Sequence, residues 1–149
     1  MSANQRLQVH ATCVEIGGVG VLIRGAPGAG KSDLALRLID GGARLVADDY
    51  TDIAVVAGRL VARAPAAIAG RLEVRGLGVV EAPAVAEAPV RLVVDLVATS
   101  EVERLPDQRI CAYLGVDVPL LALAAFEGST AAKLRLAARI AARGVPFAA

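Results

Sequence analysis

The eight residues GAPGAGKS, at positions 25–32, match the phosphate-loop pattern G-x-x-x-x-G-K-S/T at every fixed position. An apolar, β-branched run precedes them at residues 19–23, and the apolar spacing of residues 32–40 is that of a helix ended by Gly41-Gly42. The alternative interpretation is a Gly/Ala-rich turn that matches the pattern by chance. A phosphate loop requires a strand before it and a helix after it, and both are present, which favours the phosphate loop. The stretch therefore predicts a polyphosphate-binding site.

Each part of the loop has a chemical role in that prediction. The glycines let successive backbone N–H groups approach an anion, and the following helix adds its positive N-terminal end. Lys31 is expected to contact the β- and γ-phosphates, and the Ser32 hydroxyl to occupy one coordination site of Mg²⁺. The motif indicates a nucleoside triphosphate but leaves the reaction open. The predicted nucleotide-binding residues are Gly25, Ala26, Pro27, Gly28, Ala29, Gly30, Lys31 and Ser32.

Composition limits the remaining possibilities. A chain of 149 residues with 56% hydrophobic and 21% charged residues predicts a single globular domain over residues 1–149. Sixteen basic and fifteen acidic residues leave a net charge of +1, which does not favour a nucleic-acid partner. Aromatic residues make up 3% of the chain, which does not favour stacking platforms for bases.

The cysteines and the termini indicate an intracellular environment. Cys13 and Cys111 form no C-x-x-C pair and have no His-rich neighbourhood, so both are predicted to be reduced core thiols without zinc. The N-terminus has no apolar leader segment, and the longest apolar runs, such as residues 118–126, are too short to span a bilayer. We expect a soluble cytoplasmic protein with no membrane partner.

The order of the segments predicts an α/β fold with a mixed sheet. Gly17-Gly18 is expected to join two antiparallel strands, so that an N-terminal β-hairpin leads into the phosphate-loop strand. Two glycines interrupt the β-like run at residues 72–80, which suggests a bend. The predicted strands are residues 7–16, 19–23, 44–47, 53–64 as a hairpin, 72–80, 90–97, 110–114 and 118–123, with a surface loop at 99–108 and a C-terminal helix at 130–143.

Acidic residues follow two of these strands. Asp48 and Asp49 end the strand at 44–47, and adjacent strand residues face opposite ways, which predicts one carboxylate for the metal and one for the acceptor. Asp95, in the sequence LVVD, is a competing Walker-B candidate because apolar residues precede it. His10 is the only histidine, and a lone strand histidine is more often structural than functional.

Several stretches together resemble the catalytic domain of HPr kinase/phosphorylase, the bacterial serine kinase that modifies the phosphocarrier protein HPr. They are His10-Ala11, the phosphate loop, RLVADD at 44–49 and LEVRGLGVV at 72–80, of which the last is the most specific to this family. The resemblance extends over about residues 5–81. It implies a fold like that of HPr kinase and PEP carboxykinase, in the short proteobacterial form without an N-terminal domain.

The resemblance also implies roles for individual residues. Asp49 would take the proton of the acceptor serine, and Arg104, in VERL, is similar to the family's catalytic arginine. A guanidinium there would pair with phosphoryl oxygens. The implied catalytic residues are Asp49, Lys31, His10 and Arg104, with Lys31 and His10 contacting phosphates, and the implied magnesium-binding residues are Ser32, Glu73 and Asp48.

One departure from the family affects the expected direction of the reaction. The Pro-rich, Gly-Arg-Asn-containing segment that the family links to dephosphorylation is replaced by VPLL at 118–121 and FEGS at 126–129, which puts the phosphorylase reaction in doubt. The sequence therefore predicts an ATP- and Mg²⁺-dependent serine kinase acting on HPr as a homo-oligomer. The alternatives are a small-molecule P-loop kinase and a non-catalytic nucleotide-binding regulatory module.

Overall fold

A computed structural model describes residues 5–144 and residue 147. The described residues form two α-helices and eleven β-strands, with short 3₁₀ turns at Ala66–Ile68 and Thr99–Glu101. The elements are β1 (Arg6–Val9), β2 (Thr12–Ile16), β3 (Val19–Arg24), α1 (Lys31–Asp40), β4 (Arg44–Ala47), β5 (Thr51–Val56), β6 (Arg59–Arg63), β7 (Arg71–Val74), β8 (Gly78–Glu81), β9 (Glu87–Leu96), β10 (Ile110–Tyr113), β11 (Val116–Leu123) and α2 (Thr130–Ala142).

Nine of the strands belong to one mixed sheet in the order β1-β5-β6-β9-β3-β2-β4, with β11 also pairing with β9 and β10 pairing with β11. The ten-residue strand β9 holds this sheet together. Its first residues pair antiparallel with β6, and its later residues pair parallel with both β3 and β11. The strands β7 and β8 form a separate hairpin.

Five strands of the sheet run in the same direction. Strands β9 and β11 are parallel to β3, and β4 has this direction because β2 is antiparallel to both β3 and β4. Strand β5 has it too, because β6 is antiparallel to both β9 and β5. The phosphate loop follows β3, and the pair Asp48-Asp49 follows β4. The carboxyl ends of the strands therefore bring these two motifs to one edge of the sheet, where open α/β sheets bind ligands.

The sheet has a core on each face, because successive side chains of a strand point to opposite sides. Val21 and Ile23 of β3 are buried in a cluster that includes α1 and α2, to which Leu34 and Leu134 belong. Leu22, between them, lies in a second cluster with strands β5 and β6. Each fully buried aliphatic side chain of this kind stabilises the fold by about 1.5–3 kcal/mol.

The predicted hairpin into the phosphate-loop strand is present as β2 and β3, and the predicted C-terminal helix is α2. The expectation of one strand over residues 7–16 is wrong. The chain bends at His10-Ala11 and changes partners there, because β1 pairs with β5 whereas β2 pairs with β3 and β4. The glycines of residues 72–80 turn that run into the β7–β8 hairpin, with φ of +93° at Gly76 and +102° at Gly78.

Cys13 is buried and free, as predicted, and burial raises the pKa of its thiol from 9.0 to about 12. Cys111 is also free but only partly buried. Neither α1 nor α2 has the length and apolar character of a membrane-spanning helix, and the described part of the chain contains no other helix of that kind.

Candidate active site

The phosphate loop joins β3 to α1, and the side chain of Lys31 is hydrogen-bonded to the first residues of the loop. Gly30 has a φ of +102°, a left-handed conformation that glycine adopts without strain, and it accepts the first helical hydrogen bond from Leu34 N. Lys31 begins the helix and is only 7% exposed. Its Nζ donates to the carbonyl oxygens of Gly25 at 2.8 Å and Ala26 at 3.1 Å. The ammonium group thus lies within the loop whose N–H groups would bind an anion.

The Asp48 carboxylate connects three elements of the site. It is 7% exposed, and its Oδ1 accepts hydrogen bonds from Ser32 Oγ at 2.7 Å and Thr12 Oγ1 at 3.1 Å. Its Oδ2 accepts one from the backbone N–H of Glu73 at 3.0 Å. A buried carboxylate with three donors is held in one orientation. Asp48 therefore fixes the phosphate loop, strand β2 and the β7–β8 hairpin relative to one another.

Asp49 lies beside Asp48 but points into a different environment. Its backbone has a φ of +66°, and its N–H donates to Thr12 Oγ1 at 3.1 Å. The side chain is 57% exposed, and Oδ1 accepts a hydrogen bond of 2.7 Å from Nε2 of His10. The His10 ring in turn stacks on Tyr50, with 5.1 Å between the ring centroids. One carboxylate of the pair is thus buried and the other is accessible.

Part of the phosphate loop, both aspartates and His10 line one cavity of about 440 Å³ at the sheet edge. Four carboxylates face it, against the fixed positive charges of Lys31 and Arg75. The described residues contain no cluster of three or more His, Cys, Asp or Glu side chains that could hold a metal ion, so a cation in this cavity would also need phosphate oxygens as ligands. The lining residues are His10, Pro27, Gly28, Gly30, Lys31, Ser32, Asp33, Leu36, Asp48, Asp49, Glu73, Val74, Arg75 and Phe126.

The cavity brings together most of the residues that the sequence singled out. His10, Lys31, Ser32, Asp48, Asp49 and Glu73 all line it. Arg104 does not; it lies in the loop after Glu101 and lines a second cavity of about 580 Å³ with residues of β11 and α2. Its catalytic role stays a prediction.

Asp95, the alternative Walker-B candidate, is engaged elsewhere. Its two carboxylate oxygens accept hydrogen bonds from Arg24, from Nε at 2.6 Å and from Nη2 at 2.8 Å. These bonds, with one from Arg24 Nη1 to the Tyr113 hydroxyl, raise the pKa of the Arg24 guanidinium above its usual range. Asp95 therefore ties β9 to the residue that immediately precedes the phosphate loop.

Sequence reasoning missed three residues of the site. Thr12 is fully buried and bridges the acidic pair, Tyr50 stacks on His10, and Phe126 stands exposed at the cavity wall. The signal for Thr12 is a hydroxyl in a strand whose neighbours are buried and apolar. The other two depend on contacts between distant parts of the chain.

The fold and the cavity define a P-loop phosphate-binding protein of mixed α/β architecture. The family model described as HPr Serine kinase C-terminal domain matches residues 2–143. The chain belongs to this family, which confirms the resemblance found in the sequence.

Individual relatives agree with that assignment. The chain is 47% identical over 76 residues to the HPr kinase/phosphorylase of Clostridium tetani, an alignment that covers 51% of this chain and 25% of the relative. It is 48% identical over 77 residues to that of Clostridium acetobutylicum, covering 52% and 25%. The chain thus matches about a quarter of the length of these curated relatives.

A solved structure matches more of the chain. The Hpr(Ser) kinase/phosphatase from Coxiella burnetii superposes with a TM-score of 0.78 at 29% sequence identity, covering 93% of this chain and 89% of that chain. The predicted fold class, a mixed-sheet α/β P-loop fold with a C-terminal helix, is therefore confirmed.

Proposed function

We propose that the protein is an ATP- and Mg²⁺-dependent kinase that phosphorylates a serine of the phosphocarrier protein HPr. The observation that carries the proposal is the meeting of the phosphate loop with Asp48, Asp49 and Glu73 in one cavity of a chain from this family. Phosphoryl transfer needs a phosphate cradle, a metal ion and a group that receives the acceptor's proton, and the cavity has residues for each.

Phosphate binding falls to the loop and its lysine. Lys31 Nζ has three donors, two of which are used by the carbonyl oxygens of Gly25 and Ala26. Its remaining donor and its charge are available to the phosphates, beside the N-terminus of α1.

The side chains also fit a magnesium ion. Ser32 Oγ and Asp48 Oδ1 lie 2.7 Å apart, and Glu73 follows Leu72 on the neighbouring hairpin. In P-loop proteins a loop hydroxyl and an acidic residue hold the ion together with phosphate oxygens, so few protein ligands are needed. Mg²⁺ bound there would neutralise charge that develops on the transferred phosphoryl group.

Asp49 is the proposed proton acceptor. Its exposure of 57% leaves it accessible to a serine on the surface of another protein, whereas Asp48 is buried. The hydrogen bond from His10 Nε2 orients the carboxylate, and the stack on Tyr50 orients His10. In the proposed step the Asp49 carboxylate takes the serine proton while the serine oxygen attacks the γ-phosphorus of ATP. The bond from that phosphorus to the bridging oxygen breaks, and ADP leaves.

HPr is the proposed partner because the curated relatives are named for it. The tip of the β7–β8 hairpin carries Arg75 at the cavity and Leu77, which is 77% exposed, so this hairpin is the proposed contact with the protein substrate. A homo-oligomer is part of the proposal. Arg104 lines a different cavity in its own chain, so a catalytic contribution from it would require the site of another copy. A kinase that consumes ATP would act in the cytoplasm.

The test is mass spectrometry of HPr after incubation with the protein, ATP and Mg²⁺, with a Lys31→Ala variant alongside. We expect one phosphate on a serine, absent with the variant. Substantial transfer by Lys31→Ala would contradict the assignment of the loop. No transfer to HPr, with rapid turnover of a metabolite acceptor, would instead support a small-molecule kinase, and ATP binding without any transfer would support a regulatory module.

A further inference from the structure

Phe126 is an exposed aromatic ring in the wall of the active-site cavity. The chain has two phenylalanines, and this one is 70% exposed in the wall of the cavity that Gly28, Gly30 and Lys31 also line. Its exposure leaves an aromatic face open to a ligand in the cavity.

The backbone around Phe126 is firmly anchored. Ala124 and Ala125 are each 4% exposed. The carbonyl oxygen of Ala124 accepts a hydrogen bond from Thr130 Oγ1, and that of Ala125 accepts one from Nη2 of Arg37 in α1. The side chain is therefore presented to the cavity by a fixed segment between β11 and α2.

The ring also lies directly against the phosphate loop. A methyl group added at Gly30 would come 2.7 Å from Cζ of Phe126 and 2.9 Å from Cβ of Ala125. Gly30 is thus needed both for its positive φ and for the close approach of Phe126. The segment follows β11, which runs parallel to β9 and hence to β3, so the ring stands at the same sheet edge as the loop.

We propose that Phe126 is the platform on which the nucleobase of the bound nucleoside triphosphate stacks. The inference rests on the proposed function, since it concerns the nucleotide of the same site. The loop binds the phosphates, and the aromatic face beside Gly30 receives the base at the other end of the same ligand. Although the scarcity of aromatics does not favour stacking platforms, one ring placed at the cavity is sufficient for a single nucleotide.

The experiment compares binding of MgATP with binding of inorganic tripolyphosphate, which has no base, by isothermal titration calorimetry. Stacking of a base on an aromatic side chain implies that Phe126→Ala weakens MgATP binding by about 5-fold to about 150-fold. Tripolyphosphate affinity should change less than about 2-fold, since the phosphate contacts remain. Phe126→Tyr should bind MgATP as the wild type does, whereas Phe126→Leu, which keeps apolar bulk without a π face, should lose affinity as Phe126→Ala does. Val56→Ala, which trims an exposed apolar side chain outside the cavity, is the matched control.

Two results would overturn the inference. One is wild-type MgATP affinity in both Phe126→Ala and Phe126→Leu. The other is an equal loss of MgATP and tripolyphosphate affinity in both, which would make Phe126 a support of the phosphate loop. The proposed function fails separately, if the wild type binds MgATP through Phe126 but transfers no phosphate to HPr.

Discussion

Replacement of Thr12 by valine tests how the acidic pair is held. Valine keeps the β-branched shape of threonine and replaces its hydroxyl by a methyl group, so packing in β2 is retained. The hydroxyl donates to Asp48 Oδ1 and accepts from the backbone N–H of Asp49, both at 3.1 Å. The substitution removes both bonds at a position that is 0% exposed.

The expected loss of stability follows from these two bonds. A hydrogen bond to a charged group contributes about 1.5–3 kcal/mol, and a buried N–H left without an acceptor costs about 1–3 kcal/mol. The two contributions do not add fully, because both hydrogen bonds use the same hydroxyl and the N–H of Asp49 is only partly buried. We therefore expect the free energy of unfolding to fall by about 2–4 kcal/mol. With a urea m value of about 2 kcal/mol per molar, the middle of the usual range, the midpoint should fall by about 1–2 M.

The catalytic effect should be larger than the effect on nucleotide binding. Without Thr12 the backbone of Asp49 loses the contact that holds it at a φ of +66°. Because small displacements of a reacting group are costly, kcat should fall about 10- to 100-fold, while the affinity for MgATP changes little.

Thr51→Val is the matched control for this experiment. Thr51 is also 0% exposed, but its hydroxyl donates to the carbonyl oxygen of Ala11, and among the described residues it has no hydrogen bond to a carboxylate. Its removal should cost about 0.5–1.5 kcal/mol and leave kcat unchanged. Circular dichroism under urea gives the midpoints, since the chain has no tryptophan. Equal stability losses in the two variants, or an unchanged kcat in Thr12→Val, would refute the reasoning.

Two further predictions concern the surroundings of the site. Asp95→Ala leaves the Arg24 guanidinium, which is 28% exposed, without its paired carboxylate, and the free energy of unfolding in urea should fall by about 1–3 kcal/mol. The control is Arg63→Ala, which breaks an ion pair whose side chains are both at least half exposed and should cost less than about 0.5 kcal/mol. Equal losses would show that the Arg24 pair is no stronger than a surface pair. Burial raises the pKa of Cys13 from 9.0 to about 12. Between these pH values the folded protein keeps the thiol proton, whereas the unfolded chain releases it. The stability contribution that is present below pH 9 should therefore be lost as pH rises toward 12. Cys13→Ala should reduce this loss of stability at alkaline pH. In the folded wild type at pH 8, a thiol reagent should modify Cys111 before Cys13. The reverse order of labelling would contradict the burial argument.

The sequence could predict the parts of the site that are local. The phosphate loop is contiguous, and its strand and helix have their own periodicities, so the sequence alone identifies residues 25–32. The Asp48-Asp49 pair follows a short strand and is therefore visible in the sequence. One carboxylate is buried and the other exposed, but strand alternation does not account for this, because both residues lie beyond β4 and Asp49 has a left-handed φ of +66°.

The parts that depend on distant contacts could not be predicted. The bend at His10-Ala11 arises because β1 and β2 pair with different strands, which the apolar pattern of residues 7–16 does not encode. Asp95 was ambiguous for the same reason, because only the tertiary structure pairs it with Arg24. Phe126 reaches the cavity through the parallel pairing of β9 and β11.

The most direct test of the account is the kinetics of Asp49→Asn with HPr, ATP and Mg²⁺. The proposed role of Asp49 is to receive the serine proton without holding the nucleotide. On that role kcat should fall by about 100-fold or more, while the dissociation constant for MgATP stays within about 3-fold of the wild type. Asp52→Asn removes a nearby carboxylate that is hydrogen-bonded to Gln8 and lies outside the cavity, and it should leave both values unchanged. Equal losses of kcat and MgATP affinity in Asp49→Asn would contradict the account and make Asp49 a binding residue.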